Sequence, residues 1–182
     1  SAVARDIVRK RAVALQEIGV LFGDYAARIS ARDKLSLRYS PSFWFEQDAE
    51  LLDRLRKTRN RDVQRGFTQE GPHRDDIVVL LNGRAAATYA SQGQQRTSVL
   101  ALKLAELDFL RQRTGETPVL LLDDVFSELD NARREALVSV LSGDVQSVLT
   151  GTRDSQFSLL TDLYSANIFH VEQGRVIACT ST

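Results

Sequence analysis

The sequence predicts an α/β fold with parallel strands, preceded by a helical subdomain. Three observations carry this expectation. Val119, Leu120, Leu121 and Leu122 form an unbroken apolar run opened by Pro118, as expected of a strand buried on both faces of a parallel sheet. Strand, helix, strand and helix then alternate over residues 119–164, the pattern that gives layered parallel strands. Ahead of them, residues 1–30 and 46–65 both carry helical periodicity.

The chain has 182 residues, 43% of them hydrophobic, enough to build a core for one or two small domains. Lys plus Arg and Asp plus Glu each total 24, so the formal net charge is zero and any nucleic-acid surface has to be a local patch. No apolar run approaches the ~18 residues of a membrane helix. Residues 1–11 alternate arginine with small apolar side chains, unlike a secretory signal. Cys179 is the sole cysteine, which excludes an internal disulfide and a cysteine-built zinc site, and His73 and His170 lack metal-ligand spacing. A cytoplasmic protein without membrane contact is the simplest expectation. The sequence contains no methionine and is expected to be a piece of a longer chain.

Taken in order, Val8, Leu15, Phe22 and Ile29 recur at heptad spacing in the first helix and Ile18 and Tyr25 fill the other seam positions, while Arg11 breaks this second seam and Gly19 and Gly23 lower helix propensity. A packed helix is therefore expected in preference to an independent coiled coil. Leu35 to Tyr39 alternates as a strand ending at Pro41, and Phe43, Trp44 and Phe45 are expected to anchor it to a core. The second helix places Leu51, Leu52 and Leu55 on one face. It also carries Arg54, Arg56, Lys57, Arg59, Arg61 and Arg65, which suit either DNA phosphates or a solvated helix surface. A composition shift at Gly66 to Gly71 marks a boundary between segments 1–65 and 66–182. GFTQEG has the glycine spacing of a phosphate loop, but Pro72 and His73 stand where Lys and Ser or Thr are required, so it is not one.

Asn82-Gly83 between Ile77–Leu81 and Ala85–Tyr89 predicts a hairpin. A helix follows over residues 93–113, with Leu100, Leu104, Leu107 and Leu110 as its stripe and Lys103 and Glu106 off it. Ser91 and Gly93 at its start suit an anion site, or a plain serine cap. Beyond the apolar strand, Asp130 is a reasonable cap for a helix that runs to Leu141 and closes at Gly143. A short strand over residues 145–150, a helix over 157–164 and a hairpin around Gln173-Gly174 complete the reading.

Asp123 and Asp124 end the apolar strand at the sheet edge where α/β proteins bind ligands. Adjacent strand residues face opposite ways, so one carboxylate can serve a metal ion and the other can poise a water, as in the Walker B arrangement. The same residues also suit a buried strand running into an acidic turn.

SQGQQ at Ser91 to Gln95, LLLDD at Leu120 to Asp124 and SELD at Ser127 to Asp130 are similar, in that order, to the signature, Walker B and D-loop motifs of ATP-binding-cassette ATPases of the DNA-repair type. The fuller strings GPHRDD, ASQGQQR and LLLDDVFSELD resemble the RecF family. The resemblance implies that residues 1–65 are part of the helical lobe II and 66–182 the C-terminal part of an ATPase head. It implies Mg2+ at Asp123, held through water, and a general-base role for Asp124, where many cassette ATPases use Glu; the shorter side chain implies slow hydrolysis. Ser91, Gly93 and Gln94, with Gln92 and Gln95, would contact the γ-phosphate of ATP bound to a second subunit, although Gln92 departs from the usual glycine. Ser127, Glu128, Leu129 and Asp130 would cross the interface of an ATP-dependent homodimer. Thr150 or Thr152 would sense the γ-phosphate where the wider superfamily often has histidine. Implied partners are DNA, double-stranded or at a gap junction, and RecR, with RecO and RecA downstream. The complete protein would be a weak DNA-dependent ATPase. Its Walker A lysine is not in these residues, so the chain reads as the C-terminal half, inactive alone. A non-catalytic DNA- or protein-binding clamp gated by ATP, or the nucleotide-binding subunit of a transporter, are the alternatives.

Overall fold

The structure, a computed structural model, describes residues 2–30, 32–141, 145–152 and 166–181. The chain divides into two units, Ser1–Phe109 and Leu110–Thr182.

In the first unit, helix α1 (Ala2–Ile29) buries Val8, Phe22 and Ile29 of the heptad seam and lies against strand β1 (Leu35–Ser40), as a packed helix should. Helix α2 (Asp48–Arg65) buries Leu51 and Thr58. Val8, Phe45 and Leu51 form a small core on which Tyr39, Phe43 and Leu55 pack. Two expectations fail here. Trp44, in the loop between β1 and α2, is 58% exposed between the packed Phe43 and Phe45, and Leu52 is 44% exposed, because one residue's advance along a helix turns the side chain off the packed face. The two glycines of GFTQEG serve turns. Gly66 caps α2 in the left-handed region (φ 74°), and Gly71 (φ 125°) leads a 3-10 turn over Pro72–Arg74.

Strand β2 (Asp76–Leu81) runs antiparallel to β1 with Leu35 opposite Leu81, and the composition shift at Gly66 to Gly71 therefore falls inside this unit. The turn Asn82-Gly83 has positive φ at both residues (51° and 81°), as the hairpin requires. The second arm is shorter than expected. Only Arg84–Ala85 pairs as β3, and Ala86–Tyr89 coils into the short helix α3, in keeping with the helix preference of its alanines. Helix α4 (Gln92–Thr114) buries Leu100, Leu104 and Leu107, leaves Leu110 exposed, and pairs Lys103 with Glu106 at 2.8 Å.

The second unit holds strand β4 (Leu120–Leu122), helix α5 (Asn131–Leu141) and strand β5 (Ser147–Leu149). β4 and β5 are parallel, with Leu121 opposite Val148. This is the expected strand–helix–strand unit. Burial alternates, however: Leu120 and Leu122 are buried, while Leu121 is 71% exposed. An unbroken apolar run sets what a strand is able to bury; it does not fix how many layers cover it. β6 (Asn167–Glu172) and β7 (Arg175–Ser181) close a hairpin over Gln173-Gly174, both residues at positive φ. The expected helix at 157–164, and Gly143 expected to close α5, lie outside the described residues.

Candidate functional site

β4 ends at Leu122, and the next two residues are the exposed Asp123 and Asp124. Asp124 adopts the left-handed region (φ 47°, ψ 29°), so strand alternation stops there and a 3-10 turn over Val125–Glu128 begins. What ties the two residues together is Thr150, the residue just past β5. Its backbone N–H donates to the Leu122 carbonyl at 3.0 Å and extends the parallel ladder by one step. Its hydroxyl donates to Asp123 Oδ1 and accepts the Asp124 N–H at 3.0 Å. Thr152, two residues on, is exposed.

The next turn is fixed from inside. The Ser127 hydroxyl donates to the Asp124 carbonyl at 2.9 Å, and Phe126 and Leu129 are buried. Asp130 caps α5, accepting the Arg133 N–H at 2.9 Å and pairing with its guanidinium at 3.0 Å. Arg134 Nε donates to the Phe126 carbonyl at 3.0 Å. Of SELD, then, Leu129 is committed to its own chain, while Ser127 and Asp130 stay exposed.

The donor set around Asp123 suits magnesium. It consists of hard oxygens, a carboxylate with a hydroxyl beside it, and among the described residues no cluster of three or more His, Cys, Asp or Glu competes as a closed metal site. Mg2+ characteristically takes one or two carboxylates and completes its shell with water and substrate phosphates.

In the first unit, Ser91 and Gln94 form a reciprocal cap at the start of α4. Gln94 N–H donates to Ser91 Oγ at 3.3 Å, and Ser91 N–H donates to Gln94 Oε1 at 3.0 Å. Gln94 Nε2 also donates to Asp33 Oδ1 at 2.8 Å, and Gln95 Nε2 to the Ala90 carbonyl at 3.2 Å. Ser91 thus caps α4, with Gln94 as its reciprocal partner. Gln92 is exposed, and the Gly93 carbonyl accepts the Thr97 hydroxyl at 2.9 Å.

The cations of α2 fall into two groups. Arg54 pairs with Glu70 at 2.8 Å and lies over the Phe43 ring, Lys57 pairs with Asp53 at 2.7 Å, and Arg65 donates to Gln69 at 2.6 Å. Arg56, Arg59 and Arg61 are exposed and have no ion-pair partner among the described residues. Arg59, with Leu55, Val63 and Phe67, lines an open groove of about 570 Å³.

Sequence reasoning missed Asp75. This carboxylate is 3% exposed; it accepts from the Tyr39 hydroxyl, from Arg11 at 3.2 Å and from the Ser42 N–H at 3.0 Å. Burial, then the neighbouring Asp75, pushes the Tyr39 hydroxyl up to about 12. The adjoining His73 ring and Arg74 Nε both meet the Thr68 carbonyl, at 2.9 and 3.3 Å. No local sequence signal separates Asp75 from Asp76, because its partners are distant in the chain.

Solved structures share this fold. A structure of the recombination mediator RecF with ATP, in the RecFOR pathway, aligns with 98% of this chain and 47% of its own at TM-score 0.72 and 33% identity. An SMC head bound to a winged-helix domain of ScpA aligns with 92% of this chain at TM-score 0.54 and 15% identity, a likeness of fold alone. The fold is that of RecF and SMC ATPase heads. No family model matches the chain. Among curated proteins, the DNA replication and repair protein RecF of Listeria monocytogenes serotype 4b (strain CLIP80459) is 39% identical over 181 residues, covering 96% of this chain and 49% of the relative. That of Lysinibacillus sphaericus (strain C3-41) is 48% identical over 126 residues, covering 69% and 34%. The chain belongs to the RecF family, and it spans about half the length of the curated relatives it matches.

Proposed function

We propose that this chain supplies half of an ATP-operated DNA-repair head. The observation that carries the reading is the pair Asp123–Asp124 at the carboxyl end of a strand in a parallel pair, with the next strand's end bonded to both residues. In open α/β sheets that edge is where ligands bind. Similarity to a RecF structure containing ATP supports ATP as the nucleotide.

In this reading Asp123 holds Mg2+ and Asp124 orients and polarises the attacking water. The bound ion neutralises charge developing on the transferred phosphoryl group. Ser91, Gly93 and Gln94, flanked by Gln92 and Gln95, meet the γ-phosphate of ATP on a second copy, and Ser127 to Asp130 line the same homodimer interface. Segment 1–65 acts as the helical lobe and 66–182 as the C-terminal part of the head. The short reach of Asp124 makes turnover slow. DNA is the macromolecular ligand, RecR the direct protein partner, and RecO and RecA act downstream in the cytoplasm.

The test is Asp124→Asn in the complete protein. ATP hydrolysis should fall about 100-fold or more, while ATP-driven dimerisation, followed by light scattering, persists. Full turnover in this variant would remove Asp124 from the chemistry.

A second reading is favoured by the exposed Arg56, Arg59 and Arg61, which have no ion-pair partner among the described residues: a DNA-binding clamp in which ATP acts only as a conformational switch. Asp124→Asn then leaves DNA release unchanged, whereas in the first reading it traps the protein on DNA.

A further inference from the structure

We propose that Thr150 is a positioning residue that holds Asp123 and Asp124 in one arrangement, and that its hydroxyl is not available as a γ-phosphate sensor. This rests on the reading of Asp123 as the residue that holds magnesium.

The argument is one of hydrogen-bond capacity. A threonine hydroxyl has a single proton to donate and two lone pairs with which to accept. Here the proton goes to Asp123 Oδ1, and one lone pair takes the Asp124 N–H at 3.0 Å. To donate to a phosphate oxygen the hydroxyl must release Asp123. The backbone that carries it is itself held, since the Thr150 N–H is tied to the Leu122 carbonyl at 3.0 Å. One side chain just past β5 thus grips the metal-holding carboxylate and the amide of the left-handed residue beside it.

A hydrogen bond of this kind fixes the orientation of a metal-holding carboxylate, and its loss typically costs 10–100-fold in metal affinity. The Asp124 N–H would lose its acceptor at the same time, loosening the turn that carries the proposed base. Thr150 therefore links the register of the β4–β5 pair to the aim of the Asp123 carboxylate and to the backbone turn at Asp124.

The experiment measures affinity for a fluorescent ATP analogue, with Mg2+ and with EDTA, in the complete protein. Thr150→Val keeps the branched shape and deletes the hydroxyl. It should lower the gain in affinity due to Mg2+ by about tenfold or more and leave affinity in EDTA unchanged. Thr150→Ser should restore the wild-type gain. If Thr150→Val fails to fold, Thr150→Ala serves in its place. Equal Mg2+ dependence in Thr150→Val and wild type overturns the proposal, as does Thr150→Ser behaving like Thr150→Val. Asp123→Ala separates the two levels of inference. If it abolishes the Mg2+ gain while Thr150→Val does not, the positioning role alone falls. If it leaves the gain intact, the metal reading falls and takes the positioning role with it.

Discussion

The chain contains two Asp-Asp pairs beside strands, and they are used in opposite ways. Asp75-Asp76 leads into β2, and Asp123-Asp124 follows β4. Asp75 is buried and collects three donors, from Tyr39, Arg11 and Ser42. Asp123 is exposed and its one described hydrogen bond comes from Thr150. The dipeptide is identical; what differs is how much acceptor capacity the fold has already consumed. A carboxylate whose oxygens are filled by its own chain is a structural tie. One with an oxygen to spare remains open to a ligand.

The largest expected effect is at the filled pair. Asp75→Ala should destabilise the protein by about 3 kcal/mol in urea melts, since a nearly inaccessible carboxylate leaves behind a tyrosine hydroxyl and a backbone N–H without acceptors. Asp123→Ala should leave stability within about 0.5 kcal/mol while affecting metal-dependent binding. If both variants unfold alike, the contrast between the pairs is wrong.

A smaller effect tests the same contrast among the α2 cations. Reversing the exposed Arg56, Arg59 and Arg61 to Glu should weaken DNA binding about tenfold or more at low salt and flatten its salt dependence. Reversing Arg54, Lys57 and Arg65, already engaged within the chain, should weaken DNA binding less and lower stability more. Equal losses from the two sets would return the helix to a solvated surface.

The smallest effect is a pH dependence at Tyr39. Its hydroxyl is raised from 10.0 to about 12, first by burial and then by the Asp75 carboxylate. The folded protein therefore holds the proton more tightly than the unfolded chain does. The associated stability is fully present below pH 10 and is lost as pH rises through about 12. Tyr39→Phe should show less loss of stability than wild type across that window, measured by denaturant melts. Identical pH profiles would place Tyr39 outside the Asp75 cluster.

Local signals in the sequence were reliable where a short stretch decides the outcome. Asn82-Gly83 and Gln173-Gly174 make hairpin turns, Asp130 caps α5, and the apolar run ending at Leu122 pairs in parallel with the strand ending at Leu149. The candidate site was legible as motifs but not as contacts. Ser91 and Gln94 bond each other, a cap visible in their spacing, whereas Thr150 reaches Asp123 and Asp124 across the β4–β5 register. Asp75 went unread for the same reason, since its partners lie on α1, on β1 and in the loop after it. Exposure of Val119 and Leu121 was equally out of reach, because residue type records what burial would favour and says nothing of which neighbours provide it.

The left-handed backbone at Asp124 has a consequence for choosing a substitution there. Asp and Asn tolerate this region better than other side chains bearing a Cβ, because their short polar groups bond locally. Asn at this position keeps both the size and the backbone preference of the native residue, removes the charge and replaces one acceptor oxygen with an NH2 donor. A glutamate would lengthen the acid but sit in a conformation it adopts less readily. The backbone, before any chemistry, thus selects Asn as the cleanest probe of this carboxylate and argues against treating Glu as a gain-of-function repair.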